Sequence, residues 1–119
     1  MKINVLGREG FTLVEIMIVV AIIGMLAAMA IPGVARARDN ARTKVCINNL
    51  RQLDGAKDQA AIENNVGTGQ DVSGYVEIYL KNGVPVCPVN NTSYVLNDAG
   101  TAPECNSPAK DEHNAAYQN

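Results

Sequence analysis

Glu15 is the one charge in the run from Phe11 to Ile31, and its chemistry is that of a carboxylate that needs a cation. About 20 apolar residues span a bilayer, so the run is long enough to lie in lipid. There a carboxylate costs about 3 kcal/mol and marks a functional position that should have a partner. Arg8 is seven residues away, and no Lys or Arg follows within a turn or two. The partner must therefore come from a new amino terminus or from another chain. A cut between Gly10 and Phe11 would supply it, because the freed α-amine lies four residues from Glu15, a spacing that makes neighbours on one helix. Such a cation is what a carboxylate in low dielectric requires. In a packed array, the Glu15 of one subunit would equally neutralise the Phe11 amine of the next, so that assembly itself relieves the buried charge.

Two blander readings use the same run. A secretory signal peptide would be cut after Ala28-Met29-Ala30, which fits the small-residue rule, although the apolar core of such a peptide is about 7 to 15 residues long. A plain membrane anchor would tolerate Glu15 near the interface.

The remaining reactive residues are sparse. Cys87 and Cys105 lie in a stretch rich in Pro, Gly and Asn, where a disulfide would staple a small fold and imply an oxidising compartment. Closing a loop of that length contributes about 3 kcal/mol. This pair is favoured, with Cys46 read as a small buried hydrophobe in a helical pattern, but three cysteines leave three pairings open. The single His113 falls in a polar tail. No Ser, His and acid grouping, metal-spaced Cys and His set or phosphate-cradling Gly loop is evident, so neither an enzyme nor a metal centre is expected. Asp98 and Glu104, with carbonyls of the Gly100 turn, are a set that could hold a hard cation such as calcium. Asn91-Thr92-Ser93 fits a glycosylation sequon, a short match that is common by chance.

These residues must be positioned by few elements. The chain has 119 residues, a net charge of -2 and a pI near 5.3, which argues against nucleic-acid binding because phosphate contacts need a dense basic face. Arg36, Arg38, Arg42 and Lys44 read as a solvated helix face beside a membrane. A helix is expected from Phe11 to about Asn64, with Cys46, Leu50, Leu53, Ala56 and Ala60 as a narrow apolar stripe and Asn64-Asn65, Gly67 and Gly69 as its end. Between 71 and 87 two patterns compete. A helix would carry Val72, Tyr75, Val76, Tyr79 and Leu80, with Asp71 as cap and Gly83 past its end; a hairpin would turn at Asn82-Gly83. Pro85 and Pro88 favour the helix. Short strands are expected around Tyr94-Val95-Leu96, covering Cys46 and Leu50. From Asn106 onward the chain is polar and is expected to fray.

Gly10-Phe11-Thr12-Leu13-Val14-Glu15 and the apolar run behind it closely resemble the type IV prepilin class, that is, type IV pilins and the pseudopilins of type II secretion and DNA-uptake systems. The resemblance runs from Arg8 to Pro32 and fades toward the C-terminus. It implies a prepilin peptidase that cuts after Gly10 and N-methylates Phe11, and a Glu15 that sets subunit registration in a filament. Gly24 and Pro32 fall where pilin helices commonly carry a Gly and a helix-loosening Pro. The implied fold is pilin-like α+β: a long N-terminal helix, half transmembrane and half amphipathic, packed on a small C-terminal β region. Its divisions would be a leader 1–10, an assembly helix 11–32, an amphipathic half 33–65 and a head 66–119 with a polar tail.

The implied partners are copies of the same chain in a homopolymeric filament, the peptidase and an inner-membrane assembly platform. No cofactor is implied beyond the calcium that major pseudopilins bind in a C-terminal loop, and no matching run of residues is present here. The implied location is the bacterial inner membrane in a single pass, followed by a periplasmic or surface filament. Counting Lys2 and Arg8 against Arg36, Arg38, Arg42 and Lys44 would by itself put the C-terminal part in the cytoplasm; the motif and the cysteine-bearing tail put it outside. The stretch "LRQLDGAKDQAAIENN" resembles major subunits rather than tip subunits. Few aromatics, and none between Phe11 and Tyr75, argue against a conducting filament of stacked rings. The reading from another class is a monomeric membrane-anchored or secreted binding module that exposes the Asp71 to Cys105 region.

Overall fold

Helix α1 (Leu13–Glu63) begins within the apolar run and is continuous through Pro32. The computed structural model describes residues 10–118; the leader up to Glu9, with Lys2 and Arg8, lies outside the described residues. The chain divides into two compact units, one up to Ala37 and the other Arg38–Asn119. The division falls within α1 and not at residue 66, because the amphipathic part of the helix supplies the spine of the C-terminal core.

In the first unit every described residue is exposed. Its apolar side chains surround the helix on all sides, which is the pattern of a helix meant for lipid or for other helices. A window of α1 with mean hydropathy 2.7 is long and apolar enough to cross a membrane, and none of it is buried. Pro32 sits inside the helix without breaking it, although its ring removes one backbone donor, so no melt is present at the expected loosening point. Gly24 and Gly33 have open space around them.

In the second unit the expected stripe forms as read. Cys46, Leu50, Leu53, Ala56 and Ala60 are all buried and pack with Val72, Val76, Cys87, Tyr94, Ala99 and Cys105. The helix ends in a Schellman arrangement: Asn65 takes φ 53°, Val66 N–H donates to Ala61 O at 2.9 Å and Asn65 N–H to Ile62 O at 3.4 Å. A left-handed Asn satisfies the last carbonyls in the way Gly more often does. A short helix α2 (Ser73–Val76) and a 3-10 turn (Glu77–Tyr79) follow, so helix forms in place of the hairpin but is shorter than expected, and its N-cap is Val72 and not Asp71. Asp71 Oδ1 accepts from Ser73 N–H at 2.8 Å.

Two expectations are corrected. Among the described residues no strand forms, and the expected β region is reduced to two antiparallel bridges, Val86 with Ser93 and Val95 with Glu104. Pro85 and Pro88 supply no backbone donors, and Asn91 and Asn97 take positive φ, so no segment runs long enough to build a ladder. Gly100 is fixed in the same loop: its φ is 80° and a Cβ there would lie 2.7 Å from Thr68 Cγ2. The C-terminal tail is not frayed but forms helix α3 (Lys110–Gln118). His113 turns into the core, and Tyr117, one turn on, donates its hydroxyl to Asp54 Oδ2 of α1 at 2.6 Å. Two anchored positions at i and i+4 hold a helix that its composition alone would not.

Candidate functional site

Thr12 and Glu15 open α1 as a reciprocal pair. Thr12 N–H donates to Glu15 Oε2 at 2.9 Å, and Glu15 N–H donates to Thr12 Oγ1 at 3.3 Å. This is a capping box, in which an N-cap Thr and a Glu three residues on satisfy two of the helix's orphan donors. The pattern Thr-x-x-Glu was present in the sequence but was overshadowed by the charge of Glu15. In the uncut chain, then, the carboxylate already serves the helix terminus, and its negative charge sits favourably at the positive end of the helix dipole. Phe11, Glu15, Ile16, Ile18 and Val19 line one apolar depression. Phe11 is 84% exposed and, chain neighbours apart, nothing among the described residues lies within 4 Å of where a Gly10 Cβ would be, so the expected scissile bond stands clear of the described fold. Arg36, Arg38, Arg42 and Lys44 are all exposed.

The head brings together residues that the sequence left apart. Cys46 of α1, Cys87, Cys105 and His113 of α3 are all buried, and their sulfur and ring nitrogen atoms lie within 4.8 Å of one another. Cys46 Sγ is 3.5 Å from Cys105 Sγ, and Cys105 Sγ is 3.5 Å from His113 Nδ1. All three thiols are free in this structure; the Cys87–Cys105 pair favoured from sequence lies in one cluster with Cys46, which makes the three sulfurs equivalent candidates. Burial pushes the Cys46 thiol up to about 12. Sequence reasoning missed this cluster because its spacings match no metal motif. The only available signal was a count: these are all three cysteines and the one histidine of the chain.

Lys57 is the other residue missed. It is 2% exposed, and its ammonium donates to the carbonyls of Leu96, Asp98 and Thr101. The Gly100 loop gathers carbonyls around the ammonium of this lysine, while the carboxylates of Asp98 and Glu104, the set that could hold a hard cation, are exposed. Burial lowers the Lys57 pKa, opposed by Asp54, Asp58 and Asp98.

The Tyr117–Asp54 contact, which holds α3 and hence His113, carries a pH prediction. Burial first, and then the Asp54 carboxylate, push the Tyr117 phenol up to about 12, above its ordinary value of about 10. The folded chain thus keeps a proton that the unfolded chain loses. The stabilisation is fully present below about pH 10 and is lost as pH rises toward 12. Tyr117→Phe should flatten this part of the denaturant-midpoint profile, and an unchanged difference between the two chains across that window would refute the assignment.

Up to Ile31 the helix is thus unburied and apolar, follows directly on Gly10-Phe11-Thr12 and carries the capping Glu15 as its one charge. Residues 7–31 match the family described as the prokaryotic N-terminal methylation motif. The chain is similar to type II secretion system core protein G of Pseudomonas aeruginosa, 39% identical over 57 residues covering 48% of this chain and 40% of that protein. The same protein of Klebsiella pneumoniae is 34% identical over 58 residues, 49% of this chain and 41% of that one. A fimbrial protein of Moraxella nonliquefaciens is 40% identical over 78 aligned residues, 54% of this chain and 51% of that one. The chain therefore spans about two fifths to one half of the length of the curated relatives it matches. These relatives are structural subunits and not enzymes. No solved structure matches the chain.

Proposed function

We propose that the chain is a principal structural subunit of a type IV pilus or type II secretion filament, cut after Gly10 and N-methylated on Phe11. The observation that carries this reading is the fully exposed stretch of α1 from Leu13 to Ile31, with Glu15 as its one charge. Such a helix waits in the inner membrane, with the head outside the cytoplasm, until it is drawn into a bundle of like helices by an assembly platform. Cleavage by a prepilin peptidase frees an amine at Phe11, which competes with Thr12 N–H for the Glu15 carboxylate. The carboxylate, no longer fully used by its own cap, then pairs with an amine in low dielectric within the chain or across to the next subunit. Pro32 contributes a missing backbone bond at which the helix can loosen during packing.

Intact and N-terminal peptide mass spectrometry of the protein from its native cells tests the processing. A chain that begins at Phe11 with one added methyl group supports the reading; one that begins at Ile31, or at Met1, supports a secreted or anchored binding module instead. Glu15→Ala should leave cleavage unchanged and reduce filament yield at least about tenfold, since a loss of roughly 1.4 kcal/mol per contact is already a factor of ten. Sheared-filament quantitation checks this, and normal filaments from that variant would sink the charge-pairing step.

A further inference from the structure

We propose that Cys46, Cys87, Cys105 and His113 form a structural zinc site in the head, a site that does not depend on the filament reading. The donor set is three thiolates and one imidazole, a Cys3His set of the kind that structural zinc takes. All four residues are buried and their donor atoms lie within 4.8 Å of one another. The geometry favours a bridging ion over a sulfur–sulfur bond. A disulfide requires about 2.05 Å between sulfurs, whereas Cys46 Sγ and Cys105 Sγ are 3.5 Å apart. A tetrahedral ion with Zn–S bonds of about 2.3 Å and a Zn–N bond of about 2.0 Å sets edges of about 3.8 Å between sulfurs and about 3.5 Å from sulfur to nitrogen. Cys105 Sγ and His113 Nδ1 stand 3.5 Å apart.

The surroundings hold the donors in place. Ser107 Oγ lies 3.3 Å from Cys105 Sγ, and Asn114 Oδ1 accepts from Cys105 N–H at 2.8 Å, which ties the bridge segment to α3. The grouped donors are three thiols and one imidazole, with no carboxylate among them, which selects against hard cations. A depression lined by Asp39, Arg42, Thr43, Val89, Glu112 and His113 offers an entry route on the imidazole side. On binding, each thiol gives its proton to solvent and the sulfur lone pair forms the metal bond, so three protons leave and the neutral imidazole binds through nitrogen. The ion would join α1, the two bridge segments and α3, supplying the staple that a head without a sheet otherwise lacks.

The test uses the full chain in detergent, purified without chelator, with zinc measured directly and then replaced by cobalt. Stoichiometric zinc is expected, together with three thiols that resist alkylation until chelator is added and, on cobalt exchange, thiolate-to-metal charge-transfer bands of a tetrahedral site. Removing groups that merely orient a ligand weakens metal binding by about 10- to 100-fold, so His113→Ala and Cys87→Ser, which remove ligands, should weaken cobalt binding by at least about 100-fold. A metal-free folded chain with a mass lower by two hydrogens would show a disulfide and overturn the proposal. So would three freely alkylated thiols in a folded chain, or metal binding unchanged in both variants, which marks adventitious metal. Because the wild-type metal content decides by itself, variants that do not fold leave the proposal open to refutation.

Discussion

Lys57→Ala is expected to destabilise the head by about 3–5 kcal/mol, a large part of the roughly 5–15 kcal/mol that holds a typical domain together. Three carbonyls, those of Leu96, Asp98 and Thr101, are directed at the ammonium, and hydrogen bonds to a charged group are worth about 1.5–3 kcal/mol each. The loop cannot turn them elsewhere, because Asn97 and Gly100 already hold left-handed backbone and Ala99 is locked to the segment after α1, donating to Gln70 O and accepting from Gly69 N–H at 2.9 and 2.8 Å. Lys57→Met separates stem from charge. It retains most of the buried aliphatic volume and still loses the donors, so it should remain well below the wild-type chain in a urea titration. A Lys57→Met chain as stable as the wild type would show that the loop does not need its cation.

What the sequence made legible follows from how local each signal was. The stripe from Cys46 to Ala60 was visible because it obeys helical period, and all of its members are buried. The end of α1 was visible because Asn64-Asn65 is local punctuation. Lys57 was not, since a lysine beside an apolar stripe looks the same whether it reaches solvent or a loop some 40 residues away in sequence. The same is true of α3: its polarity suggested a frayed tail, and only the tertiary anchors at His113 and Tyr117 reverse that. The strands were expected from Tyr94-Val95-Leu96, but a strand exists only through its partner, and the partners offered single bridges. In the apolar run, by contrast, Gly10, Phe11, Thr12 and Glu15 are adjacent, so the whole candidate site could be read in one window. The capping box went unread there although its two residues were in plain view.

Gly10→Val should abolish processing while leaving the fold untouched. Among the described residues, and apart from its chain neighbours, nothing lies within 4 Å of a Cβ added at Gly10, so that part of the fold has room for the branched side chain. On the proposed processing, what would lack room is the approach of the peptidase to the backbone, which a residue without Cβ permits and a β-branched one obstructs. Without the cut, no amine is created at Phe11, and Glu15 remains engaged with Thr12 N–H in its capping box. Intact mass spectrometry should therefore find only the uncut chain, with filaments absent; a mature chain of normal mass would sink the assigned bond. Combining the variant with Glu15→Ala separates the two steps. If cleavage precedes charge pairing, the double variant behaves as Gly10→Val alone, because the pairing has nothing left to lose. If Glu15 instead acted on the insertion of the uncut precursor, the double variant would show an additional loss of membrane insertion; loss of the capping box, which both alternatives share, would be read separately by circular dichroism. The order of events at the amino terminus can thus be read from two substitutions five residues apart.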